Sequence, residues 1–148
     1  MEQVLRRKLG KQGFGRVDSV RSKIMSSIKG KHNKSTEIKL RMALVKAGVK
    51  GWVLHPSDLF GKPDIFFAEK KLAIFVDGCF WHGCDSCGHI PKTRSIFWRA
   101  KFERNQARAK VVKSKLRKKS IKVLRVWEHV LKSPSQTQRL IKAILFQV

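Results

Sequence analysis

Read only for its apolar and polar positions, the chain changes period several times. Ile24, Met25 and Ile28 give one narrow apolar face behind Asp18 and Ser19, and this predicts a short capped helix to about residue 29. Ser35 or Thr36 can cap a second helix that ends before Gly48, with Ile38, Met42 and Val45 on one face and Leu40 and Leu44 beside it. From Gly51 the period shortens. Trp52-Val53-Leu54 reads as a strand, and His55-Pro56-Ser57-Asp58 and Gly61-Lys62-Pro63 read as breaks. Asp64 to Ala68 and Leu72 to Val76 form a hairpin across Glu69-Lys70-Lys71. A long helix then runs from Arg94 or Ser95 to about Lys118. Its stripe is Trp98, Phe102, Asn105, Ala109, Val112 and Leu116. Ile121 to Trp127 is a β-branched strand. A last helix starts at Ser133 or Ser135 and carries Leu140, Ile141, Ile144 and Leu145. The order predicts an α/β domain over residues 19–148, a mixed three- or four-stranded sheet with helices on its faces. Residues 1–18 form a basic tail.

Charge narrows the class. The 148 residues carry 34 Lys and Arg against 10 Asp and Glu, a net +24. A domain this basic calls for a polyanion, and nucleic acid is the first candidate. No apolar run approaches the roughly 20 residues that span a bilayer. The N-terminus has charges but no apolar segment of the secretory kind. The expectation is a cytoplasmic, nucleoid-associated monomer with no membrane partner.

The chemistry concentrates in Val76-Asp77-Gly78-Cys79-Phe80-Trp81-His82-Gly83-Cys84-Asp85-Ser86-Cys87. All three cysteines lie there, within nine residues, a spacing that suits metal ligation in a reducing compartment better than disulfides. A closed tetrahedral zinc site needs a fourth ligand, and His82, His89 and His129 are the candidates. His129, after the last strand, is favoured because it would tie that strand to the loop. Asp64 opens one hairpin strand and Asp77 closes the other, so both carboxylates fall on one rim of the sheet. Two acids, a divalent ion and the imidazole of His82 are the parts of a phosphodiester hydrolase. Mg²⁺ suits the oxygen ligands and leaves the thiolates to zinc.

Several segments together resemble the very short patch repair (Vsr) DNA mismatch endonucleases. They are Arg21-Ser22-Lys23 with Met25, Gly61-Lys62-Pro63-Asp64, Val76 to Cys84, Pro91-Lys92-Thr93-Arg94, Phe97-Trp98, and Val123 to His129. The resemblance runs from about residue 19 to 146, and Gly78-Cys79-Phe80-Trp81-His82 is its most specific part. It implies a restriction-endonuclease-like fold with a structural zinc on Cys79, Cys84, Cys87 and His129. The implied activity is a Mg²⁺-dependent nick 5′ of the T in a T:G mismatch, the product of 5-methylcytosine deamination. By position, Asp64 and the Val76 carbonyl would hold Mg²⁺, His82 would activate water, and Glu37 and Asp77 would hold metal-bound waters. Phe80, Trp81 and Trp98 would intercalate beside the mismatch, and Met25 and Ile28 would wedge from the minor groove. Lys92, Thr93 and Arg94 would contact the groove or phosphates. The implied partner is mismatched duplex DNA, with room for a mismatch-repair accessory factor. The chain departs from the family in carrying Asp77 where many members have histidine. Val76 and Gly78 also stand where restriction-like enzymes place an acid and a lysine. The charge and aromatics alone would equally suit a zinc-stabilised DNA-binding module without catalysis, or a restriction-like nuclease of other specificity.

Overall fold

A computed structural model describes residues 34–92 and 94–147. The basic tail, the first expected helix with Met25 and Ile28, and Thr93 lie outside the described residues. The elements are α1 (Lys34–Lys46), β1 (Trp52–Leu54), β2 (Ile65–Phe67), β3 (Leu72–Asp77), the single turn α2 (Cys79–His82), α3 (Ser95–Lys118), β4 (Lys122–Trp127), a 3-10 turn (Val130–Lys132) and α4 (Pro134–Leu145). The strands form a sheet in the order β1-β2-β3-β4. The first three are antiparallel, with Leu54 opposite Ile65 and Ile65 opposite Ile74. β4 runs parallel to β3, from Leu72 opposite Lys122 to Asp77 opposite Trp127.

β3 is a continuous apolar run because both of its faces are covered. Leu72 and Ile74 pack with Leu40 and Leu44 of α1 and Ile141 and Ile144 of α4. Ala73 and Phe75 point the other way, onto Val112 and Leu116 of α3 and onto Ile121. The sheet is thus sandwiched, with α1 and α4 on one face and α3 on the other. Leu116 is fully buried, so its truncation to Ala should cost about 2–5 kcal/mol. Gly61 lets the β1–β2 connection lie against α3: its φ is +87°, and a Cβ there would sit 2.5 Å from a Val112 methyl.

Two helical faces differ from expectation. In α1 the buried stripe is Leu40 and Leu44, preceded one turn earlier by buried Thr36 and Glu37, whereas Ile38, Met42 and Val45 are exposed. Both stripes have helical spacing. The one that wins carries Glu37 toward the sheet rim. α1 also begins at Lys34, so Ser35 and Thr36 lie in its first turn and not ahead of it. In α4, Ile141 and Ile144 are buried and Leu145 is exposed. Ser133 caps that helix, its Oγ accepting from the Gln136 N–H, and Pro134 occupies the first position, where its missing N–H costs nothing.

Candidate active site and metal centre

The parallel pairing of β3 with β4 builds the thiolate cluster. Asp77 and Trp127 are the last paired residues, and the Glu128 N–H donates to the Asp77 carbonyl at 2.9 Å. Cys79 and His129 are each two residues past that pair, so they emerge side by side. α2 ends at Gly83, whose left-handed φ of +61° reverses the chain and brings Cys84 back beneath Cys79. The Gly88 N–H closes the next turn onto the Cys84 carbonyl at 2.7 Å, and no side chain fits there, since a Cβ on Gly88 would lie 2.4 Å from that oxygen. His129, and neither His82 nor His89, meets the three thiols. Its Nδ1 lies 3.3 Å from Cys79 Sγ and 3.5 Å from both Cys84 Sγ and Cys87 Sγ. A tetrahedron with zinc–sulfur and zinc–nitrogen distances of about 2.3 and 2.0 Å has sulfur–nitrogen edges of about 3.5 Å. The set could therefore hold zinc without rearrangement. The thiols crowd one another: the hydrogen bond that the Cys87 S–H donates to Cys79, desolvation and the adjoining Cys84 push the Cys87 thiol up to about 12. A bound cation is what lets such thiols ionise together.

The acidic rim is built by the antiparallel strands. Asp64 sits just before β2, and its carboxylate Oδ2 accepts the Val76 N–H at 2.7 Å. Continuing the β1–β2 register places His55 opposite Asp64, and the His55 N–H donates to the Asp64 carbonyl at 3.2 Å. The His55 ring turns to Glu37 of α1, Nε2 to Oε1 at 2.9 Å. One donor atom from each of Glu37, His55 and Asp64 lies within 4.8 Å of the others. Burial raises the Asp64 carboxyl above its ordinary value. The Val76 N–H opposes that rise, Glu37 adds to it, and His55 offsets part of it.

Asp77 faces elsewhere. It shares the α3 side of β3 with Phe75, and Arg125 of β4 grips both of its carboxylate oxygens from the neighbouring strand. The Arg125 guanidinium also stacks 5.3 Å from the Phe75 ring centroid. Asp77 Oδ1 lies 3.6 Å from Nε2 of His82. Burial lowers the His82 imidazole below its ordinary value, Asp77 raises it, and Arg125 lowers it again.

The aromatic residues form one cluster between α2 and α3. Phe80 meets Trp98 edge-on at 4.9 Å and Trp81 at 5.2 Å, and Phe102 anchors the group from below, 5.6 Å from Phe80. Phe102 is buried, while Phe80, Trp81 and Trp98 are half-buried. Asn105 of α3 fixes α2 by donating to the Trp81 carbonyl at 2.7 Å. Lys101 Nζ lies 4.7 Å over the Trp81 ring. Lys92 and Arg94 are exposed at the start of α3, and Arg94 has a left-handed φ of +58°.

Two rim residues escape a sequence reading. His55 reads as turn chemistry, although its place one residue past β1 puts it across from Asp64. Arg125 reads as a polar interruption of a strand, although it stands on the same face as Asp77. In each case the signal is strand register, which needs the pairing to be known.

A mixed sheet thus carries carboxylates and imidazoles at one rim, with a thiolate–histidine clamp and a cluster of aromatic rings alongside. The family described as DNA mismatch endonuclease Vsr matches residues 16–88. Type II nicking enzyme V.NaeI of Lentzea aerocolonigenes is 43% identical over 97 residues, a match covering 63% of this chain and 58% of that protein's length. Type II nicking enzyme V.NmeAIP of Neisseria meningitidis serogroup A is 36% identical over 132 residues, 85% of this chain and 92% of that protein. DNA mismatch endonuclease Vsr of Escherichia coli K12 is 35% identical over 118 residues, 77% of this chain and 72% of that protein. These similarities place the chain among the DNA endonucleases, and within them it belongs to the Vsr family. No helix among the described residues is long and apolar enough to cross a membrane.

Proposed function

We propose that the protein nicks one strand of duplex DNA on the 5′ side of the T in a T:G mismatch, on a restriction-endonuclease-like domain spanning residues 19–148. The observation that carries this reading is the Glu37–His55–Asp64 cluster against Val76, with the Asp77–His82 pair following at the same end of β3 and the Phe80–Trp81–Trp98 cluster beyond it. Asp64, with the Val76 main-chain carbonyl, would hold Mg²⁺, which supplies phosphate charge neutralisation and a more acidic attacking water. The remaining work falls to the chain. Neutral His82 takes the proton of the attacking water, and Asp77, clamped by Arg125, orients that imidazole. Glu37 borders the Asp64 pocket and would hold waters of a bound Mg²⁺. Half-buried Phe80, Trp81 and Trp98 offer ring surface to an unstacked base step, with Met25 and Ile28 entering from the opposite groove. Lys92, Thr93 and Arg94 contact the backbone. Zinc on Cys79, Cys84, Cys87 and His129 keeps α2, and with it His82 and the wedge, in register. The net charge of +24 supports duplex DNA as the partner of a monomer at the nucleoid, with or without a mismatch-repair factor.

The test is a nicking assay on matched, T:G and other mismatched duplexes, with Mg²⁺ and with EDTA. The expected result is Mg²⁺-dependent nicking of T:G alone, lost in Asp64→Ala with binding retained. Equal cutting of the matched duplex would overturn the mismatch specificity. Unchanged activity in both Asp64→Ala and His82→Ala would overturn the catalytic assignment and favour a non-catalytic binding module.

A further inference from the structure

We propose that His55 is a direct ligand in the Asp64 pocket, making it a mixed carboxylate–imidazole site that takes a first-row transition ion such as Mn²⁺ through three side chains. The inference rests on an ion binding at Asp64, as proposed above, and adds a donor to it.

Three observations converge on His55. Its Nε2 and Glu37 Oε1 are 2.9 Å apart. Neighbouring donors on one octahedral ion, each about 2.1 Å from it, are about 3.0 Å apart, so this pair already spans one edge of such a shell. Second, the donor atoms of Glu37, His55 and Asp64 converge within 4.8 Å, from three separate elements. Glu37 is 5% exposed and Asp64 is half-buried, and a cation beside two carboxylates this close would relieve their mutual repulsion. Third, His55 holds a φ of +44°, a left-handed conformation that a non-glycine residue adopts at a cost. That conformation ends β1 with the imidazole turned to Glu37. A neutral imidazole with its proton on Nδ1 leaves Nε2 as the donor. Nitrogen donors favour transition ions over Mg²⁺, which prefers oxygen and keeps its waters.

The experiment uses the zinc-loaded full chain and the variant His55→Asn. Asparagine tolerates the left-handed backbone but lacks the imidazole. Mn²⁺ binding is titrated by electron paramagnetic resonance, and spin-echo modulation reads nitrogen coupled to the bound ion. The expected result is a nitrogen modulation in the native protein that disappears in His55→Asn. Mn²⁺ affinity should fall about ten-fold or more, with Mg²⁺ affinity little changed. Asp64→Ala should lose both ions. A native protein whose bound Mn²⁺ shows no nitrogen modulation would overturn the proposal. So would modulation that persists in His55→Asn, or an equal loss of Mn²⁺ and Mg²⁺ affinity, which would mark His55 as acting only through Glu37. The nicking assay is independent of these readings. A protein that fails to nick yet shows His55-dependent modulation would refute the function and leave the site standing.

Discussion

Arg125 grips both carboxylate oxygens of Asp77 while the same carboxylate faces His82 Nε2 at 3.6 Å. The three side chains form a relay from β4 across β3 to α2. Asp77 is 3% exposed, so its charge depends on Arg125 for compensation. Removing the guanidinium in Arg125→Met strands a buried carboxylate, and unfolding free energy should drop on the order of 3 kcal/mol. Combining it with Asp77→Asn should recover a large part of that loss. Denaturant melts of the two single variants and the double variant give the coupling directly. Strict additivity would show that the pair contributes nothing beyond its separate parts.

The same relay sets a pH prediction. A general base must be neutral, and burial holds the His82 imidazole below its ordinary 6.5. The acid limb of the nicking rate should therefore lie below pH 6.5, with full activity above it. Arg125 contributes to the lowering, so Arg125→Met should move that limb upward. Stability follows the same sign. The unfolded chain protonates His82 first as pH falls through 6.5, so the folded state is penalised on the acid side and unaffected above it. A native acid limb that lies above pH 6.5, or one that Arg125→Met leaves unmoved, would remove His82 from the base role.

Much of this arrangement is legible in the residues themselves. The hairpin over Asp64 to Val76 follows from alternating punctuation and apolar runs, and it puts Asp64 and Asp77 on one rim. The Cys79, Cys84, Cys87 spacing announces a metal clamp, and His129 follows once β4 is seen to run parallel to β3. What stays hidden depends on pairing or on competition between equal patterns. His55 and Arg125 acquire meaning only through cross-strand register. α1 carries two stripes of helical period, and propensity cannot rank them; packing of Leu40 and Leu44 on the sheet decides. α2 is a single turn, too short for any periodicity, and its ends are fixed by Gly78 and Gly83.

The thiolate clamp predicts a zinc-dependent fold at the end of β3. The purified protein should carry one zinc per chain, and chelation should lower its melting temperature and expose thiols to reagent. His129→Ala removes the ligand shared by all three sulfur edges and should reproduce much of that loss. Cys87 is exposed while Cys79 and Cys84 are buried, so Cys87→Ser should be the mildest of the cysteine variants. Metal analysis beside differential scanning calorimetry checks this. A metal-free protein with an unchanged melt would refute the clamp.

Phe102 and Trp81 separate the structural from the DNA-facing part of the aromatic cluster. Phe102 is 6% exposed and meets Phe80 at 5.6 Å and Trp98 at 6.0 Å. Phe102→Ala should cost about 3–5 kcal/mol of stability. Trp81 is half-buried, with Lys101 over its face. Burial lowers that amine's pKa, and Arg104 adds to the effect. Trp81→Ala should therefore cost less stability than Phe102→Ala, since its ring is only half-buried. It should weaken binding to a T:G duplex by about 1–3 kcal/mol, the worth of one base–aromatic stack. Trp98 belongs to both parts, since it contacts Phe80, Trp81, Phe97 and Phe102, and its truncation should show both losses. Thermal melts paired with fluorescence anisotropy on matched and mismatched duplexes resolve the three cases. If Trp81→Ala weakens matched and mismatched binding equally, its ring serves general affinity and takes no part in reading the mismatch.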